Sequence, residues 1–293
     1  EAKPYVGSDV ILSDGTSVLG ADNKAAIATV MTLLARLRPD EAYGDIHVAF
    51  VPDEEIGLRG AKALDLDRFK CDFAYTIDCC ELGEVVFENW NAATGEISFK
   101  GVTAHPMSAK GVLVNPVLMA MDFMAAFDRK ETPEHTAGRE GYFWFQTIAG
   151  NESETRLKVM VRDFDRERFK LRKQRLHDVA AIVAKRYPTG KVECRVTDTY
   201  GNISDSLGDD RRSVDLLFGA LASLQIKPKQ IPMRGGTDGA ALSARGLPTP
   251  NFFTGALNFH SRFEFLPIPA FEKSYEVARS ISLLAAEPFA RDR

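Results

Sequence analysis

The sequence predicts an α/β protein in which a mostly parallel sheet domain is interrupted by an inserted α+β domain. Three observations lead there. Short β-rich runs separated by helical periodicity occupy 1–92 and 204–293. Alternation of apolar and polar residues marks 93–203. A length of 293 residues, 45% hydrophobic, can supply two cores without disulfide staples.

Taken in order, Ser17–Gly20 is a short apolar run that passes through Ala21-Asp22-Asn23 into 24–37, where Ala, Ile, Val, Met and Leu recur at helical spacing. Asp45–Val51 is a β-rich run ending at Pro52-Asp53-Glu54-Glu55, and Phe73–Ile77 is another ending at Asp78. Strands separated by helical stretches predict parallel pairing. In such sheets ligands collect beyond the carboxyl ends of the strands. Asp22, Glu54, Glu55 and Asp78 fall at those ends.

From about Asn91 the pattern changes. Residues 95–101, 157–162 and 192–197 alternate as half-exposed strands do, with helical patterns at 114–127 and 169–186. This predicts a small sheet with two helices on one face. After about Ser204 the α/β texture resumes: a helix near 213–224, the loop Arg234-Gly-Gly-Thr-Asp-Gly239, a buried run near 249–253 and a helix over 270–284. The expected domains are therefore 1–92 with 204–293, and an insertion over 93–203.

Composition narrows the partners. With 37 Lys+Arg against 41 Asp+Glu the net charge is −4 and no long basic block occurs, which argues against nucleic acid or an anionic membrane surface. No apolar run approaches the roughly 18 residues of a membrane span. Cys71, Cys79, Cys80 and Cys194 lack CxxC spacing, so a reducing cytoplasm is the expected setting. The chain begins with Glu1 rather than Met, which raises the expectation of a processed or incomplete product.

Asp22, Glu54, Glu55, Asp78 and His260 combine hard carboxylate oxygens with one imidazole, a set suited to zinc, manganese or cobalt. Two adjacent carboxylates at a sheet edge repel unless a cation or proton compensates them. Neighbouring side chains in extended backbone point apart, so one glutamate can bind metal while the other faces water as a general base. Plainer readings stay open for each residue alone: a helix cap at Asp22, an acidic turn at Glu54-Glu55, a structural His260.

Seven segments then carry a resemblance. They are Leu19-Gly-Ala-Asp22-Asn-Lys-Ala, Val51-Pro-Asp-Glu54-Glu55-Ile-Gly57, Tyr75-Thr-Ile-Asp78, Val102-Thr-Ala-His105-Pro, Val161-Arg162-Asp-Phe-Asp165, Met233-Arg234-Gly-Gly-Thr-Asp238-Gly239 and Phe253-Thr-Gly-Ala-Leu-Asn-Phe-His260. In this order and spacing the chain resembles the cytoplasmic tripeptide aminopeptidases of the di-zinc aminopeptidase, carboxypeptidase and aminoacylase family. The resemblance implies a catalytic domain with an inserted lid domain and two zinc ions. Asp22 would bridge them, Glu55 and His260 would complete one, and Asp78 would bind the other. It implies Glu54 as general base and His105 as donor to the developing oxyanion. Arg234, Asn202 and Arg162 would hold the substrate's backbone and carboxylate.

Two departures accompany it. The family has a His-x-Asp pair on an earlier strand that supplies the remaining zinc ligand, and none of the five histidines here forms such a pair. The expectation is that an early part of the catalytic domain lies upstream of Glu1. Cys79-Cys80 follow Asp78 where those aminopeptidases have glycines, and the thiols could alter the metal site or be small buried residues. The expected function is release of the N-terminal residue of a tripeptide through a zinc-activated water. The alternatives are a related N-acyl amino acid hydrolase or carboxypeptidase, and a non-catalytic truncated fragment. Expected partners are short peptides; pairing of two copies through the lid stays open.

Overall fold

The computed structural model describes residues 2–286. The chain divides into two compact units: one runs to Asn89 and resumes at Ile203, and the other is the insert Trp90–Asn202.

The insert holds strands β4 (Asn91–Lys100), β5 (Tyr142–Gly150), β6 (Glu154–Asp163) and β7 (Lys191–Tyr200), with helices α3 (Pro116–Ala125) and α4 (Arg166–Arg186). Its sheet has the order β5-β6-β4-β7 with every neighbour antiparallel. Alternation along β4 and β6 turns Ile97, Phe99, Leu157, Val159 and Val161 inward, where they meet Met119 and Phe123 of α3 and Leu176, Val179 and Val183 of α4. Both helices start where a side chain satisfies free backbone donors: Asn115 Oδ1 accepts from Val117 N at 2.9 Å, and Asp165 Oδ1 from Arg168 N at 2.7 Å. The sequence pattern missed β5, because its aromatic run Tyr142–Phe145 does not alternate.

The flanking unit contains β1 (Val10–Leu12), α1 (Ala21–Arg36), α2 (Arg59–Ala63), β2 (Thr76–Cys79) and β3 (Glu84–Val86). After the insert come α5 (Ile203–Leu207), α6 (Arg212–Ser223), β8 (Lys229–Gln230), α7 (Asp238–Ser243), β9 (Asn251–Phe253), β10 (Phe265–Pro267) and α8 (Ile268–Leu284). The sheet order is β2-β9-β3-β8: β2 with β9 and β3 with β8 run parallel, and β3 with β9 antiparallel. Residues from both sides of the insert share one core, in which Leu33, Ile77 and Val85 pack with Leu217, Leu221, Phe252, Val277 and Ile281. A separate antiparallel pair joins β1 to β10.

Two expected strands do not form. Ser17–Gly20 and Asp45–Val51 are extended or bent backbone in no sheet among the described residues. A strand exists only through a hydrogen-bonded neighbour; β2 pairs with β9 and finds no partner in 45–51, and Phe50 is left 56% exposed. Asp78 also lies within β2 instead of beyond it. No described helix is long and apolar enough to cross a membrane.

Candidate functional site

The start of α1 brings Asp22 to the site. Gly20 precedes α1 with φ 69° and ψ 33°, a left-handed conformation that favours glycine. Asp22 is itself non-helical (φ −82°, ψ 101°), and its peptide bond to Asn23 is cis. Glu54 and Glu55 stand on the turn before α2, whose Glu54 carbonyl accepts from Gly57 N and Leu58 N at 3.1 and 2.9 Å. Asp53 and His260 both hold left-handed backbone, φ 64° and 61°. Such conformations cost non-glycine residues about 1–3 kcal/mol each and persist where the surrounding structure imposes them.

His260 arrives from the loop after β9. Gly255 (φ 92°) lets that loop pass α8 so closely that a Cβ would lie 2.8 Å from Ala270. The imidazole Nε2 then stands 2.8 Å from Asp22 Oδ2 and 2.7 Å from Glu55 Oε1. One ligand atom from each of Asp22, Glu55 and His260 lies within 4.8 Å of the others. Asp78 adjoins Asp22 and is steadied by Asn23, whose Nδ2 donates to its Oδ1 at 3.3 Å, while its backbone N donates to Asn251 Oδ1 at 2.8 Å.

Crowded carboxylates show in the proton affinities. Burial, then the charges of Asp238, Glu55 and Asp22, push Glu54 up to about 7. Burial followed by the charges of Asp22 and Glu54 raises Asp78 well above the carboxylate range, and burial lifts Asp238 to about 6. Burial works against the charged imidazole of His260, but hydrogen bonding to Asp22 and the charges of Glu55 and Asp22 outweigh it and raise its pKa. The donor set is that of a borderline or hard divalent cation: carboxylate oxygens and one imidazole, already gathered and carrying more negative charge than one histidine offsets. These residues fit a metal. Burial pushes the Cys80 thiol up to about 12 and raises Cys79 well above the usual thiol value, so both remain small protonated side chains.

A cavity of about 580 Å³ in the same unit is lined by Asp22, Glu54, Glu55, Asp78 and Asp238 together with apolar side chains such as Val30, Tyr75 and Phe252. Arg234 is half-buried in its glycine-rich loop. The other expected residues belong to the insert. His105 is exposed, and its Nδ1 accepts from Met107 N at 3.2 Å, so a neutral ring carries its proton on Nε2 and presents it as a donor. Arg162 is 5% exposed, its Nη1 donating to the carbonyls of Ala93 and Val161 at 3.2 and 2.9 Å. Asn202 is equally enclosed and donates to the Phe164 carbonyl at 3.2 Å. Three contributors escaped the sequence reading: Asn23, Asp238 and Glu264. Asn23 and Asp238 stand inside quoted segments, whereas Glu264 has no local signal.

Residues 20–283 match the model of peptidase family M20/M25/M40. A peptidase T-like protein of Rhizobium meliloti is 63% identical over 286 residues, 98% of this chain and 70% of that protein. Peptidase T of Geobacillus sp. is 43% identical over 279 residues, 94% and 68% of the two chains. Among solved structures, aminopeptidase PepT from Bacillus cereus superposes with a TM-score of 0.83 at 23% identity, over 95% of this chain and 74% of that one, a likeness of fold. The chain thus spans about 70% of the length of the curated relatives named here.

Proposed function

The chain belongs to peptidase family M20/M25/M40, and from that premise we propose that it is a metal-dependent aminopeptidase releasing the N-terminal residue of tripeptides. The observation that carries this is the convergence of Asp22, Glu55 and His260 within 4.8 Å, with Glu54 lining the same cavity as Asp22 and Glu55. A reading as a non-catalytic remnant is not favoured by donors so gathered.

Asp22, Glu55 and His260 would hold one ion, and Asp22 would bridge to a second at Asp78; zinc suits this mixture of carboxylate and imidazole. Bound metal supplies Lewis acidity toward the scissile carbonyl and lowers the pKa of water. Glu54, placed among the ligands, takes the proton of the attacking water and returns it to the leaving amine. His105, in the insert, is assigned as donor to the developing oxyanion on the strength of the resemblance. Arg234 binds the peptide carboxylate through its guanidinium fork. Asn202 and Arg162 are assigned with it on the strength of the resemblance.

The setting we assign is the cytoplasm. For the oligomer we take a homodimer through the insert, whose sheet ends in edge strands β5 and β7; light scattering on the purified chain reads one copy or two. The activity is tested by incubating the zinc-loaded protein with a tripeptide and with its N-acetylated form. Release of the first residue from the free peptide alone is expected. Turnover of the blocked form alone would assign the chain to N-acyl amino acid hydrolysis.

A further inference from the structure

Glu264 is 1% exposed, and its carboxylate faces the backbone that carries Asp22. Oε2 accepts from Gly20 N at 2.6 Å and Oε1 from Asp22 N at 3.1 Å. These donors lie ahead of the regular part of α1, which begins after the non-helical Asp22 and Asn23 and is capped locally by Asn23, whose Oδ1 accepts from Ala26 N at 3.3 Å. A buried carboxylate is costly unless its lone pairs are met, and here two backbone N–H groups meet it.

The same loop supplies His260. It is closed at its base by paired hydrogen bonds between Leu257 and Phe265, at 2.9 and 3.1 Å. Within it Ser261 N donates to the Asn258 carbonyl, Glu264 N to the Ser261 carbonyl, and Asn258 Nδ2 to the Phe263 carbonyl. A single stiff loop therefore grips Asp22 twice, by its carboxylate through His260 and by its backbone through Glu264.

We propose that Glu264 is the positioning residue of the bridging ligand: by holding the N–H groups of Gly20 and Asp22 it sets where the Asp22 carboxylate stands between Glu55 and His260 on one side and Asp78 on the other. This rests on the metal reading above. Glu264 does not line the cavity, and its effect on metal and substrate would pass through Asp22.

The test compares wild type with Glu264→Gln, in which an amide donor replaces one acceptor opposite an N–H at unchanged size. Zinc affinity is measured by competition with a chromophoric chelator, and the cobalt-loaded proteins are compared by visible absorption. Loss of a partner that orients a ligand costs metal affinity roughly 10–100-fold. That loss is expected here, with a shifted cobalt band and a folded far-UV spectrum. A lowered melting temperature with wild-type affinity and an unchanged cobalt band would reduce Glu264 to a purely structural tie on the Gly20–Asp22 backbone and overturn the proposal. Should Glu264→Gln fail to fold, Glu264→Asp, which keeps the charge and withdraws it by one methylene, is read by the same two measurements and the same two outcomes. A wild type that binds neither zinc nor cobalt would instead sink the metal reading, a failure distinct from that of Glu264.

Discussion

In the insert, strands of nine and ten residues pair along their whole length and bury one continuous apolar face. The sheet of the flanking unit is built from strands of two to four residues, and its loops carry a crowd of acids. One region places its residues for stability. The other holds like charges together and leaves a cavity beside its sheet. The lesson is that the site is positioned less by its short strands than by long-range contacts, such as His260 on Asp22 and Glu264 on the start of α1, that hold loops in place.

Substitutions at the two adjacent glutamates sharpen that contrast most. Glu54→Gln keeps shape and removes basicity, so turnover of a tripeptide should fall by about 10²–10⁴ while bound metal survives. Glu55→Gln should chiefly weaken metal binding and recover partly in excess zinc. Metal analysis that finds the reverse pattern would exchange the two roles.

Next in size is a core truncation in the insert. Phe99 is fully buried against Phe123, with ring centroids 5.6 Å apart. Phe99→Ala should cost about 3–5 kcal/mol in denaturant unfolding, yet leave zinc affinity at the wild-type value. A parallel loss of affinity would mean that the two units are not independent in their energetics.

A smaller effect is expected from pH on metal-free protein. In the folded chain Glu54 titrates near 7 and Asp238 near 6, above their ordinary values of 4.5 and 3.8. Both therefore favour the folded state while protonated, and their contribution is lost as pH rises through those values. In EDTA the apparent melting temperature should drop by several degrees between pH 5 and 7.5, and zinc at pH 7.5 should restore it. A melting point that holds or rises over this window contradicts the crowding.

The smallest effect is expected at Phe50, on a segment outside all three sheets of the described residues. Phe50→Ser should change stability by only about 0.5 kcal/mol, against several for any inward residue of β4 or β6. A cost above 1 kcal/mol, the scale of an ordinary buried contact, would show that this segment is packed in solution.

Most of the insert was legible. Period-2 alternation over 95–101 and 192–197 and helical spacing over 169–186 identify β4, β7 and α4, because in each the pattern and the buried face are set by residues a few positions apart. Elements of two to five residues, such as β8, β10 and α5, are too short to show a period. Asp45–Val51 has strand composition and no strand, because composition records a preference while pairing needs a neighbour.

By itself the sequence supplied the candidate groups: carboxylates at Asp22, Glu54, Glu55 and Asp78, an imidazole at His260, and the segments that hold them. Tertiary structure alone decided that His260 meets Asp22, 238 positions away, and that Glu264 fastens the backbone behind it. It also decided how far burial among like charges raises Glu54 and Asp78. The physical reason is range. Hydrogen-bond periods and side-chain directions are local properties that a pattern can carry, whereas a contact across 238 residues and the field at a carboxylate depend on every segment folded around it.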